Sequence, residues 1–423
     1  MHAHQNNYYF QHQKAEFSQL TTKEVATVGI IGGGLSGINT AIELRGRGIN
    51  VAVLESRHIG WGASGRNGGQ LIRGYSFNPD KFKNSLGAQA VKRFKELGIA
   101  SVGLVKDRIK QYNIDCDFEA GYCSLATNQK QWDWCRAEYE NNLSEQKDFT
   151  LYEKDRLFNE VIASDMYCGG LVDSQGGHLH PFKLTTGEAI IAQSLGAAIY
   201  QNSEVIKIKK SNSQFLLITS KGQLLCDIVV YCCNAYINKL NLSLDSRAIS
   251  AGSYIVATKA LDSSLIKNTI RKNYAFCDLN TVLDYFRLSK DNRLLYGGRC
   301  NYSGIETRNI EKYLRPRMEQ TFPLLTNYPV EFQWGGRISI GFNRVPQIGR
   351  FNPQVYYAFG YSGHGLNNTH LAGKLIADKI VGESADFDLF NSVWHMKFPP
   401  FDFIRGPLTS LVMMGMRIKD KYC

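Results

Sequence analysis

Three glycines at a fixed spacing, with one acid beyond them, form the clearest chemical constellation in the chain. Gly32, Gly34 and Gly37 stand in the run Gly32-Gly33-Gly34-Leu35-Ser36-Gly37, a GxGxxG pattern. In such a turn the first glycine permits the tight bend, the second lets the backbone approach a pyrophosphate, and the third lets helix and strand pack closely. The amides of Leu35 and Ser36 then open a helix and are free to receive an anion. Glu55, followed by Ser56, stands where a carboxylate accepts both hydroxyls of an adenosine ribose, which argues against a 2′-phosphate. A second glycine-dense loop spans 60–70. Its Gly62, Ala63, Gly68 and Gly69 suit close backbone approach to a flat ligand, and Ser64, Arg66, Asn67 and Gln70 supply polar contacts.

These residues need a strand, a turn, a helix and a strand to place them. Residues 25–31 (VATVGII) read as a buried parallel strand, and Ile38, Ala41, Ile42 and Leu44 give the next segment a helical apolar face. Gly46 and Gly48 end that helix, and 51–54 form a second strand. Downstream, 187–195 reads as a helix, and 197–200, 204–208 and 227–232 read as strands. A last strand at 355–359 leads through a glycine turn into a helix over 366–380.

The length, 423 residues, suggests two or three lobes. Apolar residues are 43% and charged residues 21%, which excludes disordered and fibrous classes. No window approaches the roughly 20 apolar residues of a membrane span. The first 20 residues lack a signal-peptide core, so a cytoplasmic location is expected. The net charge of +11 comes from scattered residues without a nucleic-acid motif, so no nucleic-acid partner is expected. The ten cysteines show no CxxC pair; reduced buried thiols and no metal are expected.

The sequences IIGGGLSG, VLE and GWGASGRNGGQL resemble the FAD-binding start of the D-amino acid oxidase superfamily of FAD-dependent oxidoreductases. The resemblance continues through GGHLHPFKLTTGEAI, LDYFRL, NRVPQIGR and YSGHGLNNTHLAGKLIADKI, covering nearly the whole chain after Val25. It implies an α/β, two-domain fold: a Rossmann-like FAD-binding domain of the glutathione-reductase type, interleaved with a mostly antiparallel β substrate domain. The expected segments are an extension (1–24), FAD-binding segments (25–90, 160–247 and 325–395), substrate segments (91–159 and 248–324) and a tail (396–423). FAD is implied, and held non-covalently, since 334–339 contains no cysteine. Val205, in a strand, would contact the adenine, and Asn234 replaces the glycine usual in many relatives. Gly335, Gly363, His364, Gly365 and Leu366 would face the flavin, where a helix N-terminus favours its reduced, anionic form. His364 reads equally as a local packing histidine.

The implied reaction removes hydride from a C–N bond to flavin N5, and the imine then hydrolyses. The electron acceptor is O2 or another oxidant. Tyr254, Tyr285 and Phe286 are expected to wall the substrate, with cross-strand core packing as the alternative for each. Arg73 is the first choice for a carboxylate on the substrate, then Arg337 and Arg287. The substrate class implied is an amine bearing a γ-glutamyl or amino-acid-like group. The alternatives are oxidation of glycine, sarcosine or a D-amino acid, and a non-catalytic subunit that only carries flavin. The segment 302–319 is expected to cover the site. The apolar run 408–418, with Arg417, Lys419 and Lys421, fits either a terminal helix packed across both domains or a basic segment lying on an anionic membrane.

Overall fold

The computed structural model describes residues 6–12, 15–141, 147–237, 240–301, 307, 309–382 and 384–399. Two sheets organise them. The first has eight strands, with the path Gln347–Asn352, Val355–Phe359, Gln223–Tyr231, Lys23–Ile31 (β1), Val51–Leu54 (β2), Ala198–Tyr200. β1 runs parallel to both 223–231 and β2, which places β1 at its centre. Every residue of β2 is buried, as a strand covered on both faces requires. Helix Leu35–Gly46 (α1) packs against helices Pro181–Ser194 and Gly365–Ile380. Val28, Ile30, Ile38, Ile42, Val53 and Leu371 share the core between sheet and helices.

The second sheet has nine strands and is mostly antiparallel. Its path is Val330–Gly341, Ala248–Thr258, Leu294–Asn301, Asp284–Leu288, Ala275–Asp278, Glu119–Ala126, Gly169–His178, Gln70–Leu71, with Phe149–Glu153 also pairing 169–178. One face carries Cys123, Tyr254, Phe276, Phe286 and Tyr296 into a core beneath helix Glu311–Thr321. The other face looks onto the first sheet's glycine loops.

Several expectations need correction. Strands 70–71, 169–178 and 330–341 fall in segments expected on the FAD side yet pair in the second sheet, because partner choice is a long-range property that a local pattern does not carry. The strand expected from Glu204 begins at Lys207, so Val205 lies in the loop before it. The tail at 408–418 and residues 302–306 and 308 of the 302–319 excursion lie outside the described residues; most of its remainder lies in helix Glu311–Thr321, on the core face of the second sheet. Among the described residues, no helix is long and apolar enough to cross a membrane, and no group of His, Cys, Asp and Glu is arranged to hold a metal.

Candidate active site

A cavity of about 1990 Å³ lies between the two sheets, larger than the roughly 300–1,000 Å³ of a typical small-molecule site. At one end is the β1–α1 turn, and each of its glycines has a measurable reason. Gly32 has φ +114°, and a Cβ there would meet the Cys232 carbonyl oxygen at 2.6 Å. A Cβ on Gly37 would stand 1.9 Å from the Gly32 carbonyl oxygen, so only glycine lets α1 rest on β1. A Cβ on Gly34 would fill the cradle itself, 2.8 Å from Ser64 Oγ. Gly34, Leu35 and Ser36 line the cavity at the start of α1, whose N-cap, Gly34, makes no side-chain hydrogen bond.

Glu55 closes the turn from the other side. Its carboxylate accepts from the Gly33 amide at 2.7 Å and the Arg57 amide at 2.9 Å. Ser56 Oγ also donates to it. Burial raises its pKa, and the two amides and Ser56 work against that by stabilising the anion. Val205 and Asn234 line the cavity nearby, so the displaced strand start does not remove Val205 from the site. Asn234 adopts φ +46°, the left-handed turn conformation that asparagine tolerates in place of glycine.

The second loop folds over the first. Ser64 Oγ accepts from the Leu35 amide at 2.9 Å. Asn67 ties the loop together, donating to the Ala63 and Ser64 carbonyls and accepting from the Gly69 amide at 2.8 Å. Gly62, Ala63, Ser64, Arg66, Asn67, Gly68 and Gln70 all line the cavity. Gly69 does not; its φ of +72° lets it sit against the Leu179 carbonyl oxygen, which a Cβ would approach to 1.9 Å. Arg66 is buried, and its Nη1 donates to the Gly335 carbonyl at 3.3 Å. Gly335 therefore anchors Arg66 and does not line the cavity, whereas Gly336 does.

Beside the start of α1, where Ser36 Oγ and Tyr361 Oη lie 2.7 Å apart, Gly360, Ser362 and Gly363 all have positive φ and turn the chain into helix 365–380. Gly363, His364, Gly365 and Leu366 line the cavity. His364 occupies the N-cap without capping the helix through its side chain, and its Nδ1 makes no hydrogen bond among the described residues. Burial, helped by the Arg344 charge, lowers its pKa to about 4, so the imidazole is neutral at pH 7.

The wall facing these loops is the second sheet. Ser124, Cys277 and Tyr285 are register partners in a row across three neighbouring strands, and all line the cavity. Tyr122 lies on the same face. Tyr285 lines the cavity, and its hydroxyl lies 3.3 Å from Ser253 Oγ. Tyr254 and Phe286 do not: period-two alternation puts Ser253 in the cavity wall and turns Tyr254 into the core beneath helix 311–321. Arg337 is not among the cavity-lining residues either, although its neighbours Gly336, Ile338, Ser339 and Ile340 are. Arg287 is buried outside the cavity, donating to the Gly68, Leu179 and Leu288 carbonyls and to Tyr9 Oη.

Arg73 does line the cavity, but paired. Its Nε and Nη2 grip Asp173 in bidentate fashion at 2.7 Å each, and its guanidinium lies 4.5 Å from the Phe149 ring centroid. Tyr122, Asp173, Cys277 and Asp278 were not anticipated as cavity residues. Burial, reinforced by nearby Asp284, raises the Asp278 carboxyl to about 7. Alternation within 119–126 and 275–278 carries the signal for Tyr122 and Cys277 once one face is known to be core.

These residues fit FAD. The Gly34 cradle, the Glu55 carboxylate, the amides opening two helices and the unpartnered His364 nitrogen match its diphosphate, ribose and polar ring edge in one continuous cavity.

Comparison with known proteins agrees. Residues 27–379 match the family model described as FAD dependent oxidoreductase. The whole chain is 36% identical, over 99% of the relative's length, to gamma-glutamylputrescine oxidoreductase of Escherichia coli strain K12. It is 33% identical over 99% of its length to a probable oxidoreductase of Haemophilus influenzae, covering 98% of that protein. Among solved structures, glycine oxidase from Geobacillus kaustophilus superposes with a TM-score of 0.74 at 21% identity, over 88% of this chain and all of that one. L-proline dehydrogenase from P. horikoshii gives 0.71 at 22%, over 91% and 99%. The chain binds FAD and belongs to the FAD dependent oxidoreductase family.

Proposed function

We propose that this enzyme oxidises a small aliphatic amine carrying an amino-acid-like head, the substrate class named for its Escherichia coli relative. The observation that carries this reading is the paired Arg73 and Asp173 in the cavity wall on the second-sheet side. An α-amino acid head presents a carboxylate and an ammonium side by side, and an arginine beside an aspartate offers the complementary charges. Full-length identity of 36% to gamma-glutamylputrescine oxidoreductase supports the same substrate class.

Bound FAD supplies the two-electron acceptor, and the chain's residues supply position. Tyr285 and Tyr122 form the wall against which the amine's carbon chain is held, and Arg73 with Asp173 fixes its far end. Neutral His364 and the helix start behind it present donors where negative charge develops. The imine product hydrolyses in water, and reoxidation by O2 or another acceptor completes the cycle. The sites named here as substrate contacts are part of this proposal, as is a cytoplasmic location.

The test compares kcat/KM for γ-glutamylputrescine, putrescine, glycine and sarcosine in the native enzyme and in Arg73→Ala. The proposal expects γ-glutamylputrescine to be preferred, and the variant to lose on the order of 10²-fold for that substrate while changing little for putrescine, which lacks the carboxylate. Equal loss for both substrates would contradict the assigned role of Arg73. Preference for glycine or sarcosine would favour the small-amino-acid alternative.

A further inference from the structure

The aromatic run Tyr8-Tyr9-Phe10 lies in an otherwise polar N-terminal stretch, and the reaction assigns it no task. Residues 8–11 form a short helical turn that inserts between the two halves of the molecule. Tyr9 is fully buried, 5.2 Å from the Trp334 ring and 4.7 Å from the His180 ring. Phe10 lies 5.0 Å from the Phe182 ring on the helix 181–194 side. Asn6 donates to the Glu331 carbonyl on the second-sheet side.

Two of these contacts end on the arginines that hold the second glycine loop. Arg287 donates through Nε to the Gly68 carbonyl at 2.7 Å, and through Nη2 to Tyr9 Oη and the Leu179 carbonyl at 3.0 Å each. All its hydrogen-bond acceptors among the described residues are neutral, so the phenol oxygen is one of few groups stabilising a buried cation. The guanidinium of Arg66, in the loop itself, lies 5.0 Å from the Phe10 ring centroid and 4.9 Å from that of Trp61. Trp334, against which Tyr9 packs, donates from Nε1 to the Arg66 carbonyl at 3.0 Å. Gly68 and Arg66 both line the cofactor cavity, so the N-terminal turn touches two outer supports of the loop's centre, Arg287 and Trp334.

We propose that the segment Asn6–His12 is a strap that fixes the 60–70 loop over bound FAD, with Tyr9 and Phe10 as positioning residues acting through Arg287 and Arg66. The strap is remote from the reacting atoms, so its effect is on how tightly and how long the cofactor is held.

The experiment uses the full chain with Tyr9→Phe, Phe10→Leu, and Tyr8→Phe as a control. Tyr8 packs on Phe332 and bonds Asp291, away from the loop. FAD affinity and dissociation rate are measured by the recovery of flavin fluorescence, and melting is followed with and without FAD. Tyr9→Phe and Phe10→Leu should each weaken FAD binding by about tenfold, as loss of a charge-assisted or cation–π contact would. Phe10→Tyr should restore native binding, and Tyr8→Phe should leave it unchanged. A fall in melting temperature equal with and without FAD, at unchanged dissociation rate, would overturn the proposal and leave the turn a general brace. The proposal rests on FAD binding: native protein that takes up no FAD would refute that binding, whereas native uptake matched by the variants refutes only the strap.

Discussion

Glu188 Oε1 and His370 Nε2 lie 2.7 Å apart, with both side chains buried, joining helix 181–194 to helix 365–380. His370 Nδ1 lies 2.9 Å from the Leu366 carbonyl, so the ring is held from both sides. The other Glu188 oxygen accepts from Asn39 on α1 at 2.8 Å. One carboxylate therefore fixes α1 and helix 365–380, the two helices whose N-termini face the cofactor cavity. Glu188→Ala should cost about 3–5 kcal/mol by leaving the histidine unpaired, and Glu188→Gln clearly less. Urea unfolding of the FAD-loaded protein checks the order; equal loss in both variants would contradict it.

The glycines of the two turns should respond unequally. Gly37→Ala drives a Cβ to within 1.9 Å of backbone and should abolish FAD retention along with much of the stability. Gly363→Ala meets nothing within 4 Å and is strained only by its φ of +99°, so a loss of about 1–2 kcal/mol is expected with FAD retained. Flavin absorbance after desalting separates them.

Glu55→Gln keeps the side chain's shape but removes its charge. One oxygen still accepts a backbone amide, while the ribose loses a charge-assisted acceptor, which predicts FAD binding weaker by about 1–2 kcal/mol. Calorimetric titration of apoprotein with FAD reads this directly, and unchanged affinity would remove Glu55 from the ribose site.

Acid should destabilise the fold chiefly through its buried histidines. Burial holds the pKa of His178 at about 3 and that of His180 at about 2, against an ordinary value near 6.5. Between those values and 6.5 the unfolded chain binds more protons, so stability falls as pH drops through that window. Asp278, raised to about 7, has the opposite sign, favouring the fold as pH falls from 7 toward 4. Among the described residues, five histidines lowered by burial (His12, His178, His180, His364 and His395) against three raised carboxyls (Glu55, Asp278 and Asp284) predict a net loss of melting temperature below pH 6.5. His178→Gln should flatten the slope, and Asp278→Asn should steepen it.

The nucleotide end was legible because everything that defines it is local. The strand, the turn, α1, β2 and Glu55 fall within one short stretch, and the glycine spacing reports contacts made inside that stretch. The substrate wall was not legible in the same way. Choosing Tyr254 over Ser253, and Arg337 over its neighbours, depends on which face of a strand meets the cavity, and the 248–258 strand shifts register between Gly252 and Tyr254. Arg73 lines the cavity, but its pairing with Asp173 joins residues far apart in sequence. The aromatic run at Tyr8 drew no reading from sequence, because its partners, Arg287 and Trp334, become neighbours only when the sheets close.

The most direct test is anaerobic. The purified protein, with FAD bound, is mixed with γ-glutamylputrescine while the long-wavelength flavin absorbance is followed, and air is then readmitted. The account predicts complete bleaching by this amine, with weaker or slower bleaching by glycine and sarcosine. Flavin that dithionite reduces but none of these amines bleaches would contradict amine oxidation and leave a protein that only carries the cofactor.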